Sequence, residues 1–246
     1  MSHWIHFNCI DSTNAYLQRL QAEGQNIDGY VVWTDFQTQG KGMGKNIWES
    51  EKGQNLTFSL AFDMGFLKAS DQFLLSQAVP MGILSILDQH VPNEKLWVKW
   101  PNDIHFNGRK LGGILINSTI CGDKMGKSII GLGLNVNQMK FSNLPTNPIS
   151  LHEITGKEWD KDILVHDLVD AIAKEIVLLK DSNTHEALRR RYLERLLRYH
   201  EWGNYEVNGK PLRLFLDGID SFGRLMLHDA NNAQHLYEIK QIRFLF

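Results

Sequence analysis

With 246 residues, 43% of them hydrophobic and 22% charged, the chain has the composition of an ordinary globular protein, with room for one fair-sized domain and a small appendage. A net charge of −2 provides no basic field to draw in nucleic acid, and two distant cysteines, Cys9 and Cys121, form neither a CxxC nor a disulfide framework. No basic stretch followed by an apolar run opens the chain, and the longest nearly apolar segment, 73–87, holds Gln77 and Pro80 and falls short of the ~20 residues a spanning helix needs, so a cytoplasmic protein is expected.

In chain order, an initial strand leads to Asp11, Ser12, Thr13 and Asn14, which offer helix-capping side chains ahead of a short helical pattern over 15–20. Residues 30–33 read as a strand, 37–55 as a polar glycine-rich loop and 56–62 as a second strand. The spacing predicts a helix over 72–89, with Pro80 kinking it or lying near its start. Two short apolar runs, LWV and GILI, then read as strands of one sheet. Between them stand Trp100, Pro101, Asn102 and Asp103, a hairpin-like Asn107-Gly108, and Arg109-Lys110 leading into Gly112-Gly113. Pro101 cannot donate to a ladder, so the strand ends or shows its edge there. Such a gathering of polar, cationic and bare backbone positions suits a site that grips an anion.

Residues 128–136 (SIIGLGLNV) are a further strand, followed by a loop with Pro145 and Pro148 and by helices over 160–180 and 185–199. Beyond Trp202 short alternating runs are separated by Asn208-Gly209, Asp217-Gly218 and Asn231-Asn232, the pattern of a small all-β unit. The expected division is therefore 1–202 and 203–246.

Within the loop QTQGKGMGKNIWESEKGQNL neither familiar glycine motif applies. A dinucleotide fingerprint needs a helix to open after its glycines, and a P-loop needs a glycine and a hydroxyl where Gln39 and Asn46 stand. The alternating Gly40, Gly42 and Gly44 still let backbone N–H groups approach a ligand, Lys41 and Lys45 add positive charge, and Trp48 offers a flat face. A surface loop with solvated lysines is the competing reading. His3 and His6, three apart on a strand, face opposite ways, and no metal site is assigned.

Three segments in order, QTQGKGMGKNIWESEKGQNL at 37–56, KWPNDIHFNGRKLGGIL at 99–115 and GLGLNVN at 131–137, resemble the signatures of biotin protein ligases, the biotin–[acetyl-CoA-carboxylase] ligases. The Asp11–Asn14 element and the β-rich tail fit as well. The resemblance implies an α+β (α/β) fold: a catalytic domain like that of class II aminoacyl-tRNA synthetases, with a mixed β-sheet and flanking helices, followed by a small SH3-like β-barrel. It also implies a two-step reaction, in which biotin and ATP with Mg²⁺ give biotinyl-5′-AMP and a lysine of a biotin carboxyl carrier protein domain then receives the biotin. No helix-turn-helix precedes the first strand, so the chain looks like the short class without a DNA-binding domain.

By that resemblance Lys110 is the central catalytic cation between the biotin carboxylate and the α-phosphate, with Lys41 supporting it and Arg109 facing solvent or assisting. Asp103 is expected to orient the carrier amine or take its proton, in competition with a turn-forming role. Ser12, Thr13 and Gln37 are expected at the ureido end of biotin, and Gly40, Gly112, Gly113, Gly131 and Gly133 along its path. Met43, Lys45, Asn46, Trp48, Asn102 and Asn135 are assigned to the adenylate, with Trp48 stacking on adenine. The family loop is commonly arginine-rich, whereas here Lys41 and Met43 stand at two of the arginine positions. The nearest rival is a lipoate or octanoate ligase or transferase of the same fold, whose RRxxGGGxVxH-type loop is not visible.

Overall fold

The computed structural model describes residues 3–44, 46–91, 96–141 and 147–246; Lys45 and Pro145, singled out above, lie outside them. Seven strands form the principal sheet: β1 (His3–Phe7), β2 (Tyr30–Thr34), β3 (Leu56–Asp63), β4 (Trp97–Lys99), β5 (Asp103–Phe106), β6 (Arg109–Cys121) and β7 (Lys124–Leu134). Their spatial order is β1-β2-β3-β7-β6-β5-β4, with β1 parallel to β2 and every other pair antiparallel, so the sheet is mixed as expected.

Side-chain alternation divides the two faces. Val31, Leu60, Ile130, Leu132 and Leu134 point into a large core shared with α2 (Phe73–Leu87) and α4 (Lys161–Leu178), the short α3 (Leu151–Thr155) coming between them in the chain. On the opposite face Val32, Ala61 and Ile129 pack under Leu17 of α1 (Thr13–Ala22) and Ile27. That helix is only 10 residues long and covers part of the face; the uncovered part, further along β3, β7 and β6, is where the site lies.

Local chemistry sets these elements. Ser12 caps α1 by accepting from the Ala15 amide at 3.3 Å, and Asp160 caps α4 by accepting from the Asp162 and Ile163 amides. Asn107 and Gly108, at φ 47° and 75°, make the tight turn that joins β5 to β6. The interruption after β4 falls at Trp100–Asn102, around a cis Trp100–Pro101 peptide.

Of the two places expected for Pro80, near the start of α2 is not the one found: it lies in the middle, and the helix continues past it, because 11 of its 15 residues are buried and tertiary packing outweighs one lost backbone bond. One helix expectation differs from the fold. The last helix, α5 (His185–Leu193), stops well before Tyr199. Its continuation is claimed by the β4 edge, where the Val98 amide donates to the Arg195 carbonyl and Leu197 donates back to Val98.

Gly82 sets how closely α2 meets α4. A Cβ there would lie 2.7 Å from the Ile172 Cα and 2.9 Å from the Ala171 carbonyl oxygen, both backbone atoms. Gly82→Ala is expected to destabilise the protein by about 2 kcal/mol, since an overpacking cost of about 3 kcal/mol exceeds the ~1 kcal/mol gained in helix propensity. Urea midpoints of the two proteins check this, and an unchanged or raised midpoint would show that the helices can separate freely.

From Trp202 onward the chain forms a second, antiparallel sheet of five strands, β8 (Trp202–Val207), β9 (Lys210–Ile219), β10 (Leu225–His228), β11 (Gln234–Tyr237) and β12 (Ile242–Leu245), in the order β11-β10-β9-β8-β12. This small barrel-like unit docks on the first sheet's edge, with the Trp100 indole N–H donating to the Gly223 carbonyl at 2.9 Å. No described helix is long and apolar enough to cross a membrane.

Candidate active site

A cavity of about 500 Å³ lies over the uncovered sheet face. Its floor is made of bare backbone. Gly113 of β6 pairs directly with Gly133 of β7, and Gly131, two residues back on the same face, lies between Leu115 and Ser59. The absent side chains leave definite neighbours. A Cβ on Gly133 would lie 2.4 Å from the Trp48 ring, one on Gly113 would be 3.4 Å from the Lys110 Nζ, and one on Gly131 3.4 Å from the Asn14 amide and the Ser59 hydroxyl. The three glycines thus mark an indole platform, a cationic end and a polar end. Gly112 points the other way and does not line the cavity; a Cβ there would meet the Gly133 carbonyl at 2.9 Å, so its bareness serves strand packing.

The polar end is organised by the start of α1. The Thr13 amide donates to Gln37 Oε1 at 2.8 Å, and the Thr13 hydroxyl lies 2.9 Å from that of Ser59. Ser12, buried while capping the helix, lines the same wall. Asn14 was not anticipated as a site residue. Its Oδ1 accepts from both Gln18 and Asn117 at 3.0 Å, which fixes the amide orientation and leaves Nδ2, on a residue 4% exposed, without a partner among the described residues, beside Gly131. A buried donor left open in this way needs an acceptor from a ligand. Its place next to Ser12 and Thr13 was visible in the sequence, whereas Ser59 reaches the wall only through the β3–β7 register.

At the cationic end Lys110 Nζ lies 2.7 Å from Asp103 Oδ1, and Lys99 Nζ lies 3.6 Å from Asp103 Oδ2. Burial alone would raise the Asp103 pKa, but contacts with His105, Lys110 and Lys99 prevail and hold it down at about 2, so the carboxylate stays ionised. Burial pushes the Lys99 ammonium pKa down. Lys110 is also 5.9 Å from the Trp48 ring centroid. Its backbone is held by the following loop, with its amide donating to Asn147 and its carbonyl accepting from Ile149. Asn135, expected at the nucleotide, does not line the cavity. It is buried and donates to the carbonyls of Lys110 and Ile149, bracing the strand that carries Lys110. Arg109 is likewise outside, bound to Glu153 and to the Pro148 carbonyl. Asn102 lines the cavity while its side-chain amide donates to the Ile114 carbonyl at 2.7 Å.

The glycine loop folds over the cavity as a small hairpin. The Trp48 amide donates to the Gly40 carbonyl and the Gly42 amide to that of Asn46, with Lys41 bridging to Ile47. Lys41, Met43, Asn46 and Trp48 line the cavity. Gly40 does not; a Cβ there would meet the Trp48 carbonyl at 2.3 Å, so this glycine is required by the hairpin itself. The remaining wall comes from the barrel-like unit, whose Arg243, Phe244 and Phe246 reach the rim. The Phe244 and Phe246 rings flank the Lys99 ammonium at 5.7 and 6.0 Å. Nothing in the sequence pattern of β12 signals that placement.

The sequence profile of the biotin/lipoate A/B protein ligase family matches residues 6–135, more than half of the chain and the stretch from the end of β1 through the glycine floor. The chain belongs to this family. Among related ligases, the biotin–protein ligase of Homo sapiens is 30% identical over 213 residues, covering 81% of this chain and 28% of its own. The bifunctional ligase/repressor BirA of Bacillus subtilis is 30% identical over 189 residues, covering 74% of this chain and 55% of its own. The chain therefore spans from about a quarter to just over half the length of these relatives. In fold it resembles the biotin protein ligase of Aquifex aeolicus in complex with biotin and ATP, with TM-score 0.79, 22% identity and both chains covered in full. In this family the α1 entrance, hairpin and glycine floor all fall inside the matched segment, while β12 lies beyond it.

Proposed function

We propose that this chain is a biotin–protein ligase, activating biotin with ATP to biotinyl-5′-AMP and passing the biotin to a lysine of a biotin carboxyl carrier protein domain. The single observation that carries the choice of biotin over lipoate or octanoate is the polar end of the cavity. Ser12, Thr13, Asn14, Gln37 and Ser59 gather there, with the buried Asn14 amide nitrogen open among the described residues. A ureido ring can satisfy those groups, whereas a dithiolane or hydrocarbon tail would leave them desolvated and unpaired. The relatives named as biotin ligases and the Aquifex fold bound to biotin and ATP support the same reading.

In the first step the biotin carboxylate attacks the α-phosphorus of ATP and pyrophosphate leaves. Two anions must meet, and Lys110, set between Asp103 and the Trp48 platform, neutralises both, with Lys41 assisting from the hairpin. The valerate chain crosses Gly113 and Gly131, and adenine stacks on Trp48, whose ring covers Gly133. Met43 and Asn46 lie along the nucleotide, and Lys45 is assigned there as well. Among the described residues Asp103 is the one carboxylate lining the cavity and is already paired to two lysines, which does not suit a resident metal; magnesium arrives with ATP as part of the substrate. In the second step the carrier lysine attacks the acyl carbon and AMP departs, with Asp103 orienting the amine. We assign residues 1–202 to catalysis and 203–246 to a C-terminal unit that completes the rim. We assign this work to the cytoplasm.

Pyrophosphate exchange into ATP, run with biotin, with lipoate and with no acid, tests the proposal. Exchange is expected with biotin alone. Exchange with lipoate at a comparable rate would shift the chain to the sister activity, and none with either acid would overturn the reading.

A further inference from the structure

His105 is a buried titratable group that the scheme above leaves without a job. It follows Asp103 by two residues on β5, so both side chains emerge on the cavity side, and it lines the cavity. Its side chain is 4% exposed, and neither ring nitrogen has a hydrogen-bond partner among the described residues. Nε2 lies 3.9 Å from Asp103 Oδ2, the oxygen that Lys110 leaves open and Lys99 approaches at 3.6 Å, so a small shift brings the two into hydrogen-bond contact. The Phe246 ring stacks over the imidazole at 5.9 Å and 15°, shielding it from bulk water. The charged groups around it are Asp103 on its own strand, Lys99 on β4 and Lys110 on β6, with Arg198 behind Phe246.

Transfer requires the carrier lysine, an ammonium at neutral pH with an ordinary pKa of about 10.4, to become an amine. Asp103 can hold that ammonium but is a weak base, since three neighbours stabilise its ionised form. Lys99 and Lys110 are donors. Among the described residues at this end of the cavity, His105 is the group whose ring nitrogens stand without a partner and can accept a proton.

The geometry points to His105 as the proton acceptor of the transfer step, working through Asp103 rather than touching the carrier amine itself. This rests on the biotin-ligase reading. The ammonium gives one proton, by way of Asp103 Oδ2, to a ring nitrogen of His105. The freed lone pair forms the bond to the acyl carbon, the bond from that carbon to the phosphate oxygen breaks with its electrons leaving on AMP, and the second proton from the nitrogen goes to the departing phosphate. Burial holds the His105 pKa below its usual value, so the ring is neutral and ready above that pKa and loses this capacity as pH falls through it. Adenylation releases no proton from an amine and makes no such demand on His105.

The test separates the two half-reactions in the full chain. Pyrophosphate exchange with biotin reports adenylation, and single-turnover reaction of preformed biotinyl-5′-AMP with a saturating carrier domain reports transfer. Wild-type transfer is expected to be flat from about pH 7 to 9 and to fall below pH 6.5. For His105→Phe and His105→Gln the loss in transfer should exceed any loss in exchange by about a hundredfold at pH 7, and the plateau should become a steady rise of about tenfold per pH unit as free amine accumulates. A wild-type profile that already rises through this range overturns the assignment even if neither variant folds. So do equal losses in the two half-reactions, or variants that keep the plateau. Absence of biotin-dependent exchange in the wild type would instead overturn the ligase reading on which the assignment stands.

Discussion

Replacing Lys110 by alanine is expected to lower biotin-dependent pyrophosphate exchange by about a thousandfold, the scale seen when one preorganised charge-stabilising group is removed from a site. The position argues for so large an effect. Lys110 Nζ lies 2.7 Å from Asp103 and 3.4 Å from where a Gly113 Cβ would stand, at the end of the glycine floor opposite the polar wall. A carboxylate at the end of a chain laid along that floor ends at this ammonium. Its backbone is clamped by Asn147, Ile149 and Asn135, so the side chain is presented from a rigid strand. Without it, carboxylate and α-phosphate repel each other in a cavity partly closed to water, where charge interactions are stronger than in bulk. Lys110→Met keeps the stem and tests whether charge alone is responsible; it should behave like alanine. A loss of less than tenfold in both variants would remove Lys110 from the centre of the reaction and turn attention to Lys41 and Lys99.

Gly133→Val is expected to raise the KM for ATP by about 10- to 100-fold, the value of one base–aromatic stack, with a smaller effect on biotin. A Cβ at this position would sit 2.4, 2.6 and 2.8 Å from three atoms of the Trp48 indole, so the ring must leave the sheet and the platform for adenine is lost. The hairpin that carries Trp48 is anchored through Gly40, where a Cβ would strike the Trp48 carbonyl, which leaves little room to slide aside. Titrating ATP and biotin separately in the exchange assay checks the prediction. Equal changes in the two KM values, or none for ATP, would mean that Trp48 is a structural cover rather than a nucleotide platform.

Much of this architecture was legible in the chain because it depends on short-range chemistry. Period-two and helical patterning located the strands and helices, Ser12 announced the start of α1, Asn107-Gly108 announced a hairpin, and the turn residues after Trp202 announced a separate β unit. The motifs around Lys41, Trp48, Asp103 and Lys110 named the groups of the site, and the structure brings these four to one cavity. Tertiary structure decided what each neighbour of those groups does. Pleating sends adjacent glycines to opposite faces, so Gly113 opens the floor while Gly112 serves packing. Register across β3, β7 and β6 sets Ser59 beside Gly131, a relation between residues 72 positions apart that no local pattern encodes. Asn135 turned out to brace the strand behind Lys110, and Arg109 to bind Glu153, because the 147–153 segment crosses there. Docking of the barrel-like unit carried Phe244 and Phe246 to Lys99 and His105 from the far end of the chain. The sequence by itself determined which chemistry is present; long-range packing decided which groups face the cavity and in what electrostatic surroundings, since both depend on contacts made only once the sheet has closed.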